Sequence, residues 1–95
     1  MVIGILTLEF KLHGNDSLKG KRKVAQSLKM KLRNAFNVAV SEIAHQDSWD
    51  TLVLAAVTVS GDRKYAEGLL QKALNLVVAV DAAELVYDDI ELLGA

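Results

Sequence analysis

The chain has 95 residues, no cysteine and no proline, and its 11 basic and 12 acidic side chains give a formal net charge of −1. A chain of this length buries roughly two-thirds of its unfolded surface and folds around one core, and the lack of cysteine excludes a disulfide scaffold and any thiolate metal site. Apolar runs fall short of the ~20 residues of a membrane span, and residues 1–12 have neither the basic start nor the small-residue cleavage site of a signal peptide, so the expectation is one domain, residues 1–95, soluble, cytoplasmic and without a membrane partner.

Residues 2–12 alternate, with Val2, Gly4, Leu6, Leu8 and Phe10 on one side and Ile3, Ile5, Thr7, Glu9 and Lys11 on the other, the period-2 pattern of a strand with unequal faces. His13 to Ser17 carry turn chemistry, and Asp16 or Ser17 can cap a helix predicted from Leu18 to Ala35. Its core stripe is Leu18, Val24, Ala25, Leu28, Leu32, Ala35 and Phe36. Residues 37–45 read as a second strand, residues 46–50 as a polar connection carrying Trp49, and residues 51–60 as a β-branched strand covered on both faces. Gly61-Asp62 end that strand and cap a second helix over residues 63–80, with Ala66, Leu69, Leu70, Ala73, Leu74 and Val77 at helical spacing. Residues 84–92 form a weaker fourth strand.

The order βαββαβ predicts an α+β, ferredoxin-like sandwich: a four-stranded antiparallel sheet in the order 4-1-3-2 with both helices on one face. That topology gathers three loops at one end of the sheet. His13, Asp16, Ser17, His45, Asp47, Trp49 and Asp81 are therefore expected to be neighbours.

Three stretches carry a family resemblance. They are Ser17-Leu18-Lys19-Gly20-Lys21-Arg22-Lys23-Val24, Phe36-Asn37-Val38-Ala39-Val40-Ser41-Glu42, and Gln46-Asp47-Ser48-Trp49 ahead of an apolar strand. With the opening VIGILTLEFKL and Ser60-Gly61-Asp62-Arg63, they make the whole chain resemble the YlxP-like family of small bacterial proteins (domain of unknown function 503). The resemblance implies a ferredoxin-like fold and a gene neighbourhood shared with translation and ribosome-maturation factors. It implies no enzyme activity. Gly20 stands where the family usually has Glu, so the capping box begun by Ser17 is incomplete.

The near-zero net charge hides an asymmetry. Residues 1–36 hold eight Lys/Arg and two Asp/Glu, a net of +6, and residues 37–95 hold three and ten, a net of −7. Lys19, Arg22, Lys23, Lys29 and Arg33 project within about 120° of one another on the side of the first helix away from its core stripe. Lys21 adds a further cation to the first turns, where the helix dipole disfavours positive charge, and Gly20 breaks helix propensity there. A solvated helix face is the simpler explanation of such a cluster. The broken local rules point instead to phosphate contact by Lys19, Lys21, Arg22, Lys23, Lys29 and Arg33, with structured RNA or the ribosome as partner. Base stacking on the sheet is not expected, because the positions assigned outward, Ile3, Ile5 and Thr7 with Leu52, Leu54 and Ala56, include no aromatic.

The same assignment places Ile3, Ile5, Ile43, Leu52, Leu54 and Leu85 in an apolar patch opposite the helices, the expected interface of a homodimer. The alternative to RNA binding is therefore a homodimeric protein-interaction or regulatory subunit without nucleic acid. His13 and His45 with Asp16, Asp47 and Asp81 have the residue types of a metal or acid–base site. Their spacing matches no catalytic or metal motif, and no metal, no cofactor and no enzymatic activity are expected. Trp49 is expected to anchor its loop to the core, and the five carboxylates between Asp81 and Glu91 to form a solvated edge.

Overall fold

The computed structural model describes residues 1–94. Strand β1 spans Val2–Lys11, helix α1 Leu18–Ala35, strand β2 Ala39–Ala44, strand β3 Thr51–Ser60, helix α2 Arg63–Val80 and strand β4 Glu84–Gly94. The sheet order is β2-β3-β1-β4 with every pair antiparallel. This is the ferredoxin-like βαββαβ sandwich expected from the order of elements. Among the described residues no helix is long and apolar enough to cross a membrane.

Both helix starts follow from their caps. Ser17 is extended and its Oγ accepts the Gly20 amide at 3.1 Å; Asp62 is extended and its Oδ1 accepts the Lys64 and Tyr65 amides at 2.9 and 3.3 Å. Each bond satisfies amides that have no partner within the helix. The second helix ends at Asp81, whose left-handed backbone (φ 50°) turns the chain out of the helix and towards β4. His45 adopts the same conformation (φ 55°) at the end of β2, and β2 is accordingly shorter than the predicted 37–45.

The inward face of β1 is Val2, Gly4, Leu6, Leu8 and Phe10, all buried. Residues opposite one another in a ladder point to the same side of a sheet. The register pairs Gly4 with Thr58, Leu6 with Ala56, Leu8 with Leu54 and Phe10 with Leu52, so these β3 residues face the helices. Helix α1 lies over β2 and part of β3, and α2 over β1, β4 and the rest of β3. Leu70 of α2 seats against Gly4, where a Cβ would lie 2.8 Å from Leu70 Cδ1. Leu28 and Leu32 of α1 complete the core with Leu6, Leu8, Phe10, Leu52 and Leu54, each fully buried leucine contributing about 1.5–3 kcal/mol.

That register corrects the expected interface. Leu52 and Leu54 are 0% exposed and belong to the core; Leu85 pairs with Phe10 and packs against the same core. The β3 sequence is apolar at both parities, so its alternation carries no sign of which side faces inwards. The outward residues are Val53, Ala55, Val57 and Val59, opposite Glu9, Thr7, Ile5 and Ile3. Ile3, Ile5 and Ile43 do lie away from the core, Ile43 at an irregularity in the β2–β3 ladder and 53% exposed.

Candidate functional site

Helix α1 carries seven basic residues and no acidic one in its 18 positions. Lys19, Arg22, Lys23, Lys31 and Arg33 are exposed and Lys29 is half-buried. Among the described residues none of these six has a carboxylate within ion-pair distance; the ion pairs present are His13 with Glu84 and Lys21 with Glu42. Like charges at i, i+4, here Lys19 with Lys23 and Lys29 with Arg33, cost a few tenths of a kcal/mol per pair in an isolated helix. The fold therefore holds an uncompensated cationic stripe along its surface.

Lys21 is not part of that stripe, which corrects its assignment to phosphate contact. It is 2% exposed. Its Nζ donates to the carbonyl oxygens of His45 at 2.7 Å and Ser48 at 2.6 Å. Glu42 Oε2 lies 2.8 Å away but off the line of a hydrogen bond, so that contact is a pairing of charges. The reason is helical geometry: Lys21 stands four residues before Ala25 and seven before Leu28, on the buried row. This spacing was present in the sequence as a signal that the cation lies inwards.

Gly20 also has a packing cause. A Cβ there would collide with Asn15 Oδ1, because Asn15 reaches beneath the first turn and its Nδ2 donates to Ser17 O at 2.9 Å and Trp49 O at 2.6 Å. Ser17, Asn15 and Lys21 thus tie the start of α1 to the loops before and after it. Leu12 N donates to Asp50 O at 2.9 Å at the same end.

The three loops expected to share one end of the sheet do so. His13 Nε2 meets Glu84 Oε1 at 2.7 Å, both exposed. His45 uses its backbone oxygen rather than its ring in the Lys21 contact. Among the described residues no three His, Cys, Asp or Glu side chains come close enough to share a metal ion. Asp50 accepts from Ser48 Oγ at 2.7 Å, and that bond, with the nearby Lys11 ammonium, holds its carboxyl below the ordinary aspartate value. Trp49 is 54% exposed rather than anchored in the core; its carbonyl accepts from Asn15 Nδ2.

Two of the clefts join residues of both helices. One of about 550 Å³ lies between Leu12, Val24, Val77 and Leu85, with His13, Asp81 and Glu84 in its lining. The other, of about 480 Å³, is formed where the end of α1 meets α2, by Ala35, Phe36, Lys64, Tyr65, Gly68, Leu69 and Lys72. Tyr65, 64% exposed, and Lys64 and Lys72 were missed by the sequence reading, although Lys64, Gly68 and Lys72 at i, i+4 and i+8 share one row of the helix.

A family described as "Protein of unknown function (DUF503)" matches residues 3–89. "Uncharacterized protein YlxP" of Bacillus subtilis (strain 168) is 34% identical over 76 residues, spanning 80% of this chain and 83% of that one. Among solved structures, the cofactor-independent oxygenase SnoaB of Streptomyces nogalater is similar with a TM-score of 0.52 and 16% identity, covering 99% of this chain and 92% of its own. Protein YJCS is similar with a TM-score of 0.50 and 10% identity over 98% of each chain. These likenesses are of fold alone. They correct the expectation of a protein without enzymatic activity: an oxygenase is built on this architecture without a cofactor, so the lack of a catalytic motif does not exclude a reaction.

Proposed function

The chain belongs to the DUF503 family, and we propose that it binds RNA, free or within the ribosome, through the solvent face of α1. Lys19, Arg22, Lys23 and Arg33 make the phosphate contacts, and Lys29 flanks them. The observation that carries this reading is the cationic stripe without carboxylate partners among the described residues. A polyanion supplies the missing counter-charges, and a row of cations along a helix follows a phosphate backbone by shape rather than by base sequence. Of the outward sheet positions, Ile3, Ile5 and Thr7 with Val53, Ala55 and Val57 are not aromatic, and Tyr87, opposite Glu9 on the edge strand, stands alone, so the helix rather than the sheet is the contact surface.

Filter binding of total RNA and of ribosomal subunits across a salt series tests the reading. Four phosphate contacts to a single strand give a log–log slope of about −3. Arg22→Glu combined with Lys23→Glu is expected to weaken binding at least about tenfold with an unchanged thermal midpoint. Absence of binding at low salt, or an unaltered affinity in the double variant, overturns the proposal.

A second reading rests on the outer sheet face. Ile3 is flanked by Val59 and Leu93, and Val57 by Ile5 and Ala39, which makes a continuous aliphatic area at one end of the sheet. Such a face suits a second copy of the chain related by a two-fold axis. Sedimentation is expected to give a dimer at micromolar concentration and a folded monomer for Val57→Lys. A monomeric parent protein defeats this reading and leaves the RNA proposal standing.

A further inference from the structure

Helix α2 contains a glycine that the fold does not explain. Gly68 lies mid-helix, where glycine is disfavoured relative to alanine, and among the described residues no atom beyond its chain neighbours and the adjoining helix backbone stands within 4 Å of where its Cβ would be. At Gly20 the neighbouring Asn15 accounts for the missing side chain; at Gly68 the space outside is open. Close approach of another molecule to the backbone is one physical use for such a residue.

The surroundings of Gly68 define what approaches. Lys64 and Lys72 stand one turn before and one turn after it, and Tyr65 three residues before it, so all lie on adjoining rows of the helix. They line the cleft of about 480 Å³ whose other wall is Ala35 and Phe36 at the end of α1. No carboxylate is among its lining residues. Glu67 lines an adjoining cleft on the side of Ile90, which shares Lys64 and Gly68 with this one. Lys31 stands four residues before Ala35, one turn along the same row of α1. The site thus combines an exposed aromatic ring, a bare stretch of helix backbone and two cations, with a third nearby.

We infer that this cleft is a binding site for an unpaired nucleotide, whose base stacks on Tyr65 over Gly68 while its phosphate meets Lys64 and Lys72. Aromatic stacking with cationic tracking of the backbone is how single-stranded nucleic acid is held without sequence reading. The inference rests on the RNA proposal above and adds to it a point at which the strand is unstacked.

Titration of the ¹⁵N-labelled protein with adenosine 5′-monophosphate separates the two ideas, because the mononucleotide engages the cleft without needing the α1 stripe. Amide shifts are expected at Phe36, Tyr65, Gly68 and Lys72, and adenosine and inorganic phosphate should each bind more weakly than the nucleotide. Tyr65→Ala is expected to reduce nucleotide affinity about tenfold. Gly68→Ala is expected to weaken nucleotide binding while raising the thermal midpoint, a combination that a purely structural glycine does not produce. A short oligoadenylate binding more tightly than the mononucleotide identifies the natural ligand as a strand rather than a free nucleotide; equal affinity overturns the strand assignment. If millimolar nucleotide leaves these amides unmoved while RNA binding remains salt-sensitive, the cleft inference fails and the α1 proposal survives. If the amides move but no RNA binds at low salt, the cleft stands as a nucleotide site and the RNA proposal fails.

Discussion

Lys21 Nζ donates to the carbonyl oxygen of Ser48 at 2.6 Å, so a buried ammonium on α1 holds the loop between β2 and β3 against the helix. Two carbonyls and one carboxylate converge on that cation. Replacing it with methionine leaves them without their donor and strands the Glu42 charge. Breaking a buried pair by removing one partner is strongly destabilising, and Lys21→Met is expected to lose about 3 kcal/mol in urea denaturation. Adding Glu42→Gln to Lys21→Met should recover part of that loss. Additivity of the two single losses would refute the pairing.

Gly20 and Gly68 are both glycines within helices, and alanine should act on them in opposite directions. At Gly68 the new methyl group meets open space, and a gain of about 0.5–1 kcal/mol is expected. At Gly20 it displaces Asn15, which then loses its bonds to Ser17 and Trp49. A net loss of about 1 kcal/mol follows. Thermal denaturation of the two variants side by side reads the difference in sign.

Leu54 and Val57 separate the two faces of β3. Leu54→Ala empties a fully buried position and is expected to cost about 2–5 kcal/mol. Val57→Lys, pointing away from the helices opposite Ile5, should change stability by much less in the monomer. Comparable losses at both sites would contradict the register between β1 and β3.

Asp50 supplies a pH dependence. Its carboxyl is held below the ordinary aspartate value by Ser48 first and Lys11 second. A group whose folded value is depressed stabilises the protein fully above its unfolded value, and the contribution is lost as pH falls through the folded one. Asp50→Asn is therefore expected to be less stable than the parent at neutral pH and to converge with it below about pH 4. Thermal midpoints that run parallel for the two proteins down to acid pH would exclude the effect.

The fold was legible because its signals are local. Alternation in β1, the capping residues Ser17 and Asp62 and the apolar stripes of both helices follow from chemistry within a few residues, and the predicted helix limits, 18–35 and 63–80, coincide with those observed. The order of elements then left one common topology. For the candidate site the sequence identified a cationic helix but assigned one of its cations, Lys21, to the wrong side. The clefts were not legible, since Phe36 and Tyr65, or His13 and Glu84, meet only after the chain has folded.

Residue order alone therefore specifies the elements, their caps and the +6 and −7 division of charge, because each depends on spacing along the chain. It does not specify the side of β3 that faces inwards: Thr51 to Ser60 are nearly all apolar or β-branched, and only pairing with β1 places Leu52 and Leu54 in the core. Nor does it specify the place of Lys21, whose charge is tolerated inside because the distant carbonyls of His45 and Ser48 and the Glu42 carboxylate surround it. A buried charge is stable only with its partners, and those partners come from 21 to 27 residues away.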